Sequence, residues 1–312
     1  MTNTRGFLSI IFLAFFLHVN WAISVFDAPF RRESREELFD DVYPQSNVTR
    51  VLVSGQRRID WEAPMPQYNP PYFVHPSVIG APWADTENVR EYRDKFNRLD
   101  GDLDRRRARN EKYEFEIKTG RPLNPRGRTG VCGRGLLGRW GPNHVSLLIV
   151  SRWFRDQKGE KVIMPSTGNP LLEFVAVKMH GQWGIPGGFV QEDESYMQRA
   201  QKEFMDEALN ASNMTERERK LLAKHMSDGY DEHAHFISRG YIDDCRNTDN
   251  AWLEGTCSGI LDKDGHFSIC LDLKPGDGAE DVKWLIAHRD MTMPRNHKKF
   301  VRYMTELQFA HW

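Results

Sequence analysis

Apolar positions along this chain fall into two periods, and the change between them marks out the elements. Residues 145–153 and 171–179 are apolar, β-branched runs of strand length. Residues 235–243, 250–261 and 266–273 read as further strands, with Asp264-Gly265 as a hairpin turn between the last two, and residues 282–287 as another short one. Between them the period lengthens. Met197, Ala200, Phe204 and Ala208 recur at helical spacing, and Ser195 followed by Gln198 forms a capping box that fixes the start of that helix. Residues 215–226 predict a second, exposed helix opening at Thr215, and residues 297–309 a closing amphipathic one. Gly276-Asp277-Gly278 is a loop. Strands flanked by helices on both sides predict an α/β protein, an α/β/α sandwich with a mixed sheet, over residues 145–312.

The first half carries no such rhythm. Residues 51–118 mix a short apolar run, proline turns, aromatics and a densely charged segment, and predict a smaller α+β domain with few long elements. Residues 119–144 are so rich in Gly, Pro and Arg that they read as a connector, although Arg134 and Arg139 on a glycine-rich backbone could also approach a phosphate. Residues 25–50 are a charged lead-in. Ahead of them Arg5 precedes an apolar run, and Ala22-Ile23-Ser24 fits the small-x-small cleavage rule, so residues 1–24 read as a signal peptide. That reading places the mature chain outside the cell or in the endoplasmic reticulum lumen, and sequons at Asn47, Asn210 and Asn213 agree with a glycoprotein. A signal anchor and a mitochondrial presequence are the alternatives.

Composition narrows the field. A length of 312 residues suits two domains, and a formal net charge of -1 gives no reason to expect a nucleic-acid partner. Chemistry is concentrated after the Gly187-Gly188 turn, where the next helix carries Glu203, Asp206 and Glu207 within an arc of roughly 100°. Like charges this close repel unless a cation lies among them, and an all-oxygen donor set suits Mg2+ or Mn2+. A solvated acidic face is the plainer reading of three such residues alone.

The surrounding spacing decides between the two. From Gly188 the stretch reads G-x5-E-x7-K-E-F-x-D-E, which closely resembles the Nudix box, G-x5-E-x7-R-E-U-x-E-E-x-G-U, where U is apolar. Gly188, Glu194, Glu203, Phe204 and Glu207 match; Lys202, Asp206, Leu209 and Asn210 depart from it. Three longer segments narrow the resemblance: Gly133-Arg134-Gly135-Leu136-Leu137-Gly138-Arg139-Trp140-Gly141-Pro142-Asn143-His144, the run from Gly240 to Trp252, and Val282-Lys283-Trp284 with the terminal Ala310-His311-Trp312. Over residues 51–312 the chain resembles the two-domain ADP-ribose pyrophosphatases of animal mitochondria and the Nudix module in the tail of melastatin-type cation channels gated by ADP-ribose.

That resemblance implies hydrolysis of ADP-ribose to AMP and ribose 5-phosphate with Mg2+, or Mn2+, held chiefly by Glu203 and Glu207 with Asp206 assisting. It also implies substrate contacts from Asp244 and Arg246, and from Asn296-His297. Cys245 stands where the family has proline. Lys202 replaces an arginine whose task is to orient a glutamate, and lysine offers a point charge instead of a planar fork. Glu280 and Asp281 are candidate general bases. Two other readings fit the same residues: an ADP-ribose binding protein without activity, and a Nudix hydrolase of another nucleoside diphosphate derivative. Finally, the predicted hairpin at Asp264-Gly265 sets Cys257 opposite Cys270, an expected disulfide, with Cys245 and Cys132 as competing partners.

Overall fold

The computed structural model describes residues 41–53 and 59–312. The expected signal peptide at 1–24 and most of the lead-in at 25–50 lie outside the described residues. What is described belongs to one compact unit, Glu36–Trp312.

Four short strands come first: β1 (Tyr72–Val74), β2 (Leu99–Asp100), β3 (Leu103–Asp104) and β4 (Cys132–Gly135). The longer elements follow as β5 (Gly141–Trp153), β6 (Leu172–Met179), β7 (Gln182–Gly184), β8 (Gly187–Phe189), α1 (Tyr196–Leu209), α2 (Glu216–His233), β9 (Ala234–Ile242), β10 (Ala251–Asp262), β11 (Asp281–Ile286) and α3 (Arg295–Leu307). The main sheet runs β11-β6-β5-β10-β9, with β7 added to β6 and β8 to β5. Strands β5 and β10 are parallel in unbroken register from Gly141↔Ala251 to Arg152↔Asp262. Every other pair in this sheet is antiparallel, so the sheet is mixed.

Alternation along β5 sorts the layers. Leu147 and Ile149 face one side and pack with Phe300, Val301 and Met304 of α3. Leu148 and Val150 face the other, against Ala200, Phe204 and Ala208 of α1 and Met226 of α2. The expected three-layer α/β/α sandwich is therefore present. Both capping boxes form: Ser195 accepts from the Gln198 amide, and Thr215 from that of Glu218. Helix α2 continues seven residues past 226 because Gly229, without a Cβ, lets the Phe267 ring lie against it.

One expected element is absent. Residues 266–273 contain a short 3-10 turn, Ser268–Cys270, and not a strand. β10 is already paired on both sides, by β5 and β9, so no edge remains for a hairpin partner. Asp262 instead caps the turn, accepting from the Gly265 amide at 2.8 Å and the Ser268 amide at 2.7 Å. Consequently the expected Cys257–Cys270 disulfide does not form. Cys257 is buried opposite Leu147 and Ser238, Cys270 is exposed, and all four cysteines are free.

The breaker-rich stretch at 119–144 is not a loose connector. β5 starts inside it at Gly141, β4 pairs with β1 in parallel, and Arg134, Leu137 and Trp140 are fully buried. Arg134 pairs with Glu87 and donates to the Gly138 carbonyl, so it holds the loop and cannot reach a ligand. Residues 247–254 stitch the first half onto the sheet. Asp249 accepts from the Tyr68 hydroxyl at 2.6 Å, the Thr129 amide at 2.6 Å and the Thr129 hydroxyl at 2.9 Å. Asn250 accepts from the Gly133 amide, and Glu254 from Arg107 and Trp252. Trp140 and Trp252 anchor a separate core with Val89, Phe96 and Tyr113. Among the described residues, no helix is long and apolar enough to cross a membrane.

Candidate active site

Segment 184–189 runs between two groups of polar side chains. On one side, α1 presents its carboxylates. Glu203 and Glu207 lie one turn apart on the face turned toward β8 and are only 6% and 7% exposed. The Gly187 amide donates to Glu207 Oε2 at 3.2 Å. At Gly188 a Cβ would come within 2.7 Å of the Glu203 carboxyl carbon, so the box glycine is what lets the carboxylate approach the turn. Burial, and after it the neighbouring Glu203 charge, pushes Glu207 up to about 8. Burial raises Glu203 as well, against the pull of Arg199.

Asp206 stands apart from the pair, although its charge raises Glu203. Glu203 and Glu207 are 40° apart around the helix by geometry, whereas Asp206 falls on the far side of Glu203. Its carboxylate accepts from the Ser212 hydroxyl at 3.0 Å, at the junction with α2. A second acidic side chain, Asp277, bears on both members of the pair, and its charge raises Glu203 and Glu207. It sits with a left-handed backbone, φ 47°, in the 276–278 loop, anchored where the Gly276 amide donates to the Glu207 carbonyl at 3.0 Å. An Asp between two glycines signals a tight turn, and nothing local in that signal points to the glutamates. The two base candidates lie elsewhere: Glu280 accepts from the Gly181 amide across the β6–β7 turn, and exposed Asp281 from the Val282 amide.

Among the described residues, no group of three or more His, Cys, Asp and Glu side chains is drawn together as a metal site. The pair nevertheless fits a hard divalent cation. Its donors are all oxygen, and two carboxylates are buried side by side, where burial first and the Glu203 charge second raise Glu207, a cost that a cation between them would relieve.

On the other side of segment 184–189 lie the remaining candidates. Arg246 grips Asp244 through Nε and Nη2 at 2.8 and 2.9 Å, and its guanidinium lies 5.8 Å from the centre of the Phe189 ring. Those hydrogen bonds hold the Asp244 carboxyl below its usual range. His297 Nδ1 accepts from the Ile185 amide at 2.9 Å, which leaves Nε2 as the nitrogen able to meet a ligand, and burial brings its pKa down to about 4. Asn296 donates to the Asp243 carbonyl. The structure thus brings Asp244, Arg246, Asn296 and His297 to one end of the sheet. Strands β7 and β8, between them and the glutamates, are what joins the two groups.

A cavity of about 410 Å³ opens beside the box, with Trp83, Leu103, Leu136, His144, Phe189 and Tyr196 in its walls. Its polar wall is fixed. The Tyr196 hydroxyl meets His144 Nδ1 at 2.8 Å, while His144 Nε2 lies 2.9 Å from the Arg106 carbonyl, so Nε2 carries the proton and Nδ1 accepts. Burial keeps this histidine neutral, with a pKa of about 4. Arg139 reaches the cavity but is paired with Asp85 and Glu192. Leu136, Arg139 and His144 fall in the Gly133–His144 segment and Phe189 and Tyr196 flank the box, but nothing local shows that they close one cavity with Trp83 and Leu103.

Comparison with known proteins agrees with this arrangement. Residues 55–141 match the family model described as NUDT9-like, N-terminal domain. The chain is 38% identical over 274 residues to the mitochondrial ADP-ribose pyrophosphatase of Rattus norvegicus, covering 86% of this chain and 77% of that protein. It is 37% identical over 270 residues to the putative nudix hydrolase 6 of Caenorhabditis elegans, covering 86% and 94%. A transient receptor potential cation channel, subfamily M member-like 2, of Nematostella vectensis is 34% identical over 274 residues, which are 86% of this chain but only 17% of the channel.

Proposed function

Because the chain belongs to the Nudix hydrolase family and is similar to its ADP-ribose pyrophosphatases along most of its length, we propose that it cleaves the diphosphate of ADP-ribose to AMP and ribose 5-phosphate. The observation that carries this reading is the pair of buried glutamates, Glu203 and Glu207, set against the Gly187-Gly188 turn. Mg2+ or Mn2+ bound there would supply neutralisation of the diphosphate charge and acidify the attacking water. The chain's own part is positioning. Gly187 donates its amide to Glu207 and fixes one carboxylate oxygen, while Gly188 leaves room for Glu203. Asp244 and Arg246 are the polar contacts for one sugar-phosphate end, with His297 offering Nε2 and Asn296 beside it. The apolar cavity flanked by Phe189 and Tyr196 gives room for one nucleoside or sugar end.

The test is direct. Purified protein with Mg2+ is incubated with ADP-ribose, NADH, ADP-glucose or nucleoside triphosphates, and AMP is quantified. AMP from ADP-ribose at the highest kcat/KM supports the reading; ADP-ribose bound but uncleaved points to a binding protein, and preference for another dinucleotide to a different hydrolase. Glu203→Gln and Glu207→Gln each keep the side-chain shape but lose the charge that holds a cation, and turnover should fall by about a hundredfold or more. Turnover of Glu203→Gln near that of the parent at saturating Mg2+ would sink the metal assignment.

We also propose that residues 1–24 direct the chain into the secretory pathway. Supporting this, Asn47 and Asn213 of the sequons are exposed. N-terminal sequencing and glycosidase treatment of the protein made in animal cells check it. A start at residue 1 without a mobility shift counts against it, and recovery in mitochondria would match the compartment in the rat relative's name.

A further inference from the structure

Lys202 occupies the box position where the family pattern has arginine, and it is exposed to solvent. Its charge acts on Glu203 less than those of Arg199, Asp277 and Asp206 do. The cation that touches Glu203 lies one turn earlier. Arg199 Nη2 pairs with Glu203 Oε1, and Nη1 lies 3.6 Å from Glu194 Oε1, with the arginine side chain only 15% exposed. Helical geometry explains the choice: residue 199 is 40° around the helix from 203, whereas 202 is 100° away. Gly188 makes the contact feasible, since a Cβ there would sit 3.0 Å from Arg199 Nη2 as well as against Glu203. One planar guanidinium therefore spans two carboxylates of the box, Glu194 before the helix and Glu203 within it, an arrangement that a lysine's single point charge does not reproduce.

We propose that Arg199 is the residue that orients Glu203 in this chain, having taken over, from one turn upstream, the task that the box assigns to position 202. Arg199 is a positioning residue: it fixes which Glu203 oxygen faces the cation. The proposal rests on the reading of Glu203 as a metal-holding carboxylate.

The two roles open to Arg199 differ in sign. If it were only a positive charge crowding the site, removing it would tighten binding of a divalent cation. If it positions Glu203, removing it loosens binding. Mn2+ affinity of the substrate-free protein, measured by calorimetry, separates them. Arg199→Ala should weaken Mn2+ binding about tenfold and lower kcat about tenfold or more, with KM for ADP-ribose changed less than twofold. Lys202→Ala should leave both within twofold. Returning the arginine to the box position, in Arg199→Ala/Lys202→Arg, should recover most of the lost affinity and turnover. Melting temperatures of all variants show that they are folded, and Arg199→Lys gives a milder change if the alanine variant is not. Unchanged or tighter Mn2+ binding in Arg199→Ala, with Glu203→Gln clearly weakened, would overturn this proposal alone. Parent-like Mn2+ binding by Glu203→Gln would overturn the metal reading and this inference with it.

Discussion

Glu207 shows what a single side chain demands of its surroundings. Its pKa stands at about 8 because burial and the Glu203 charge disfavour ionisation. A carboxyl whose folded value lies above its unfolded value stabilises the fold fully below the unfolded value, and that contribution is lost as pH rises through the folded one. The metal-free protein should therefore lose melting temperature between about pH 5 and pH 8 relative to Glu207→Gln, which has no such group. Thermal melts in chelator across that range check this, and adding Mn2+ at pH 8 should restore the parent but not the variant. The residues behind this behaviour were readable unequally. Glu203 and Glu207 follow from the box spacing and the helical period. Arg199 does not, because the motif directs attention to position 202 while the geometry of an i, i+4 pair selects 199. Asp277 was readable only as a loop residue, since its approach to the glutamates depends on where the chain returns after β10 and not on anything local.

Among the elements, α1 was the most legible: its cap, its apolar stripe and its carboxylates all agree with one helix. One member of that stripe, Met197, is nonetheless 39% exposed, because the first turn overhangs the edge of the core. Residues 266–273 failed for the converse reason. Their apolar residues suit a strand, but Phe267 and Leu271 are spent packing against α2 and the sheet's second face, and pairing on both sides of β10 closes the edge. Local pattern reports which residues seek burial, and sheet order decides how they obtain it. The end of α1 gives a test at this scale. The loop that carries Asp277 docks there through the amides of Lys274 and Gly276, and a Cβ on Gly276 would strike the Asp206 carbonyl and Asn210. Gly276→Ala should cost about 1–3 kcal/mol by overpacking, seen as a lower urea midpoint. It should also lower turnover, because the displaced loop takes Asp277 with it.

At the scale of the whole molecule, the first half could not be read as structure from composition, because its order comes from the second half. Glycine, proline and arginine between 119 and 144 signal broken local structure, and the residues that fix them, Asp249 and Asn250, lie more than a hundred positions later. Asp249→Ala removes the acceptor for the Tyr68 hydroxyl and the Thr129 amide in a buried setting. A loss of about 2–5 kcal/mol is expected, measured as a shift of one cooperative unfolding transition and not as a separate early phase for the first half. The same dependence has a temporal side. β5 and β10 form the centre of the sheet, yet Ala251 pairs with Gly141, 110 positions earlier. On a ribosome adding about 5–20 residues per second, β5 emerges roughly 5–20 s before its parallel neighbour. For that interval the longest strand among the described residues is held on one side by β6 and β8 and has nothing on the other, so the step most exposed to misassembly during synthesis is set by the strand order of the finished sheet.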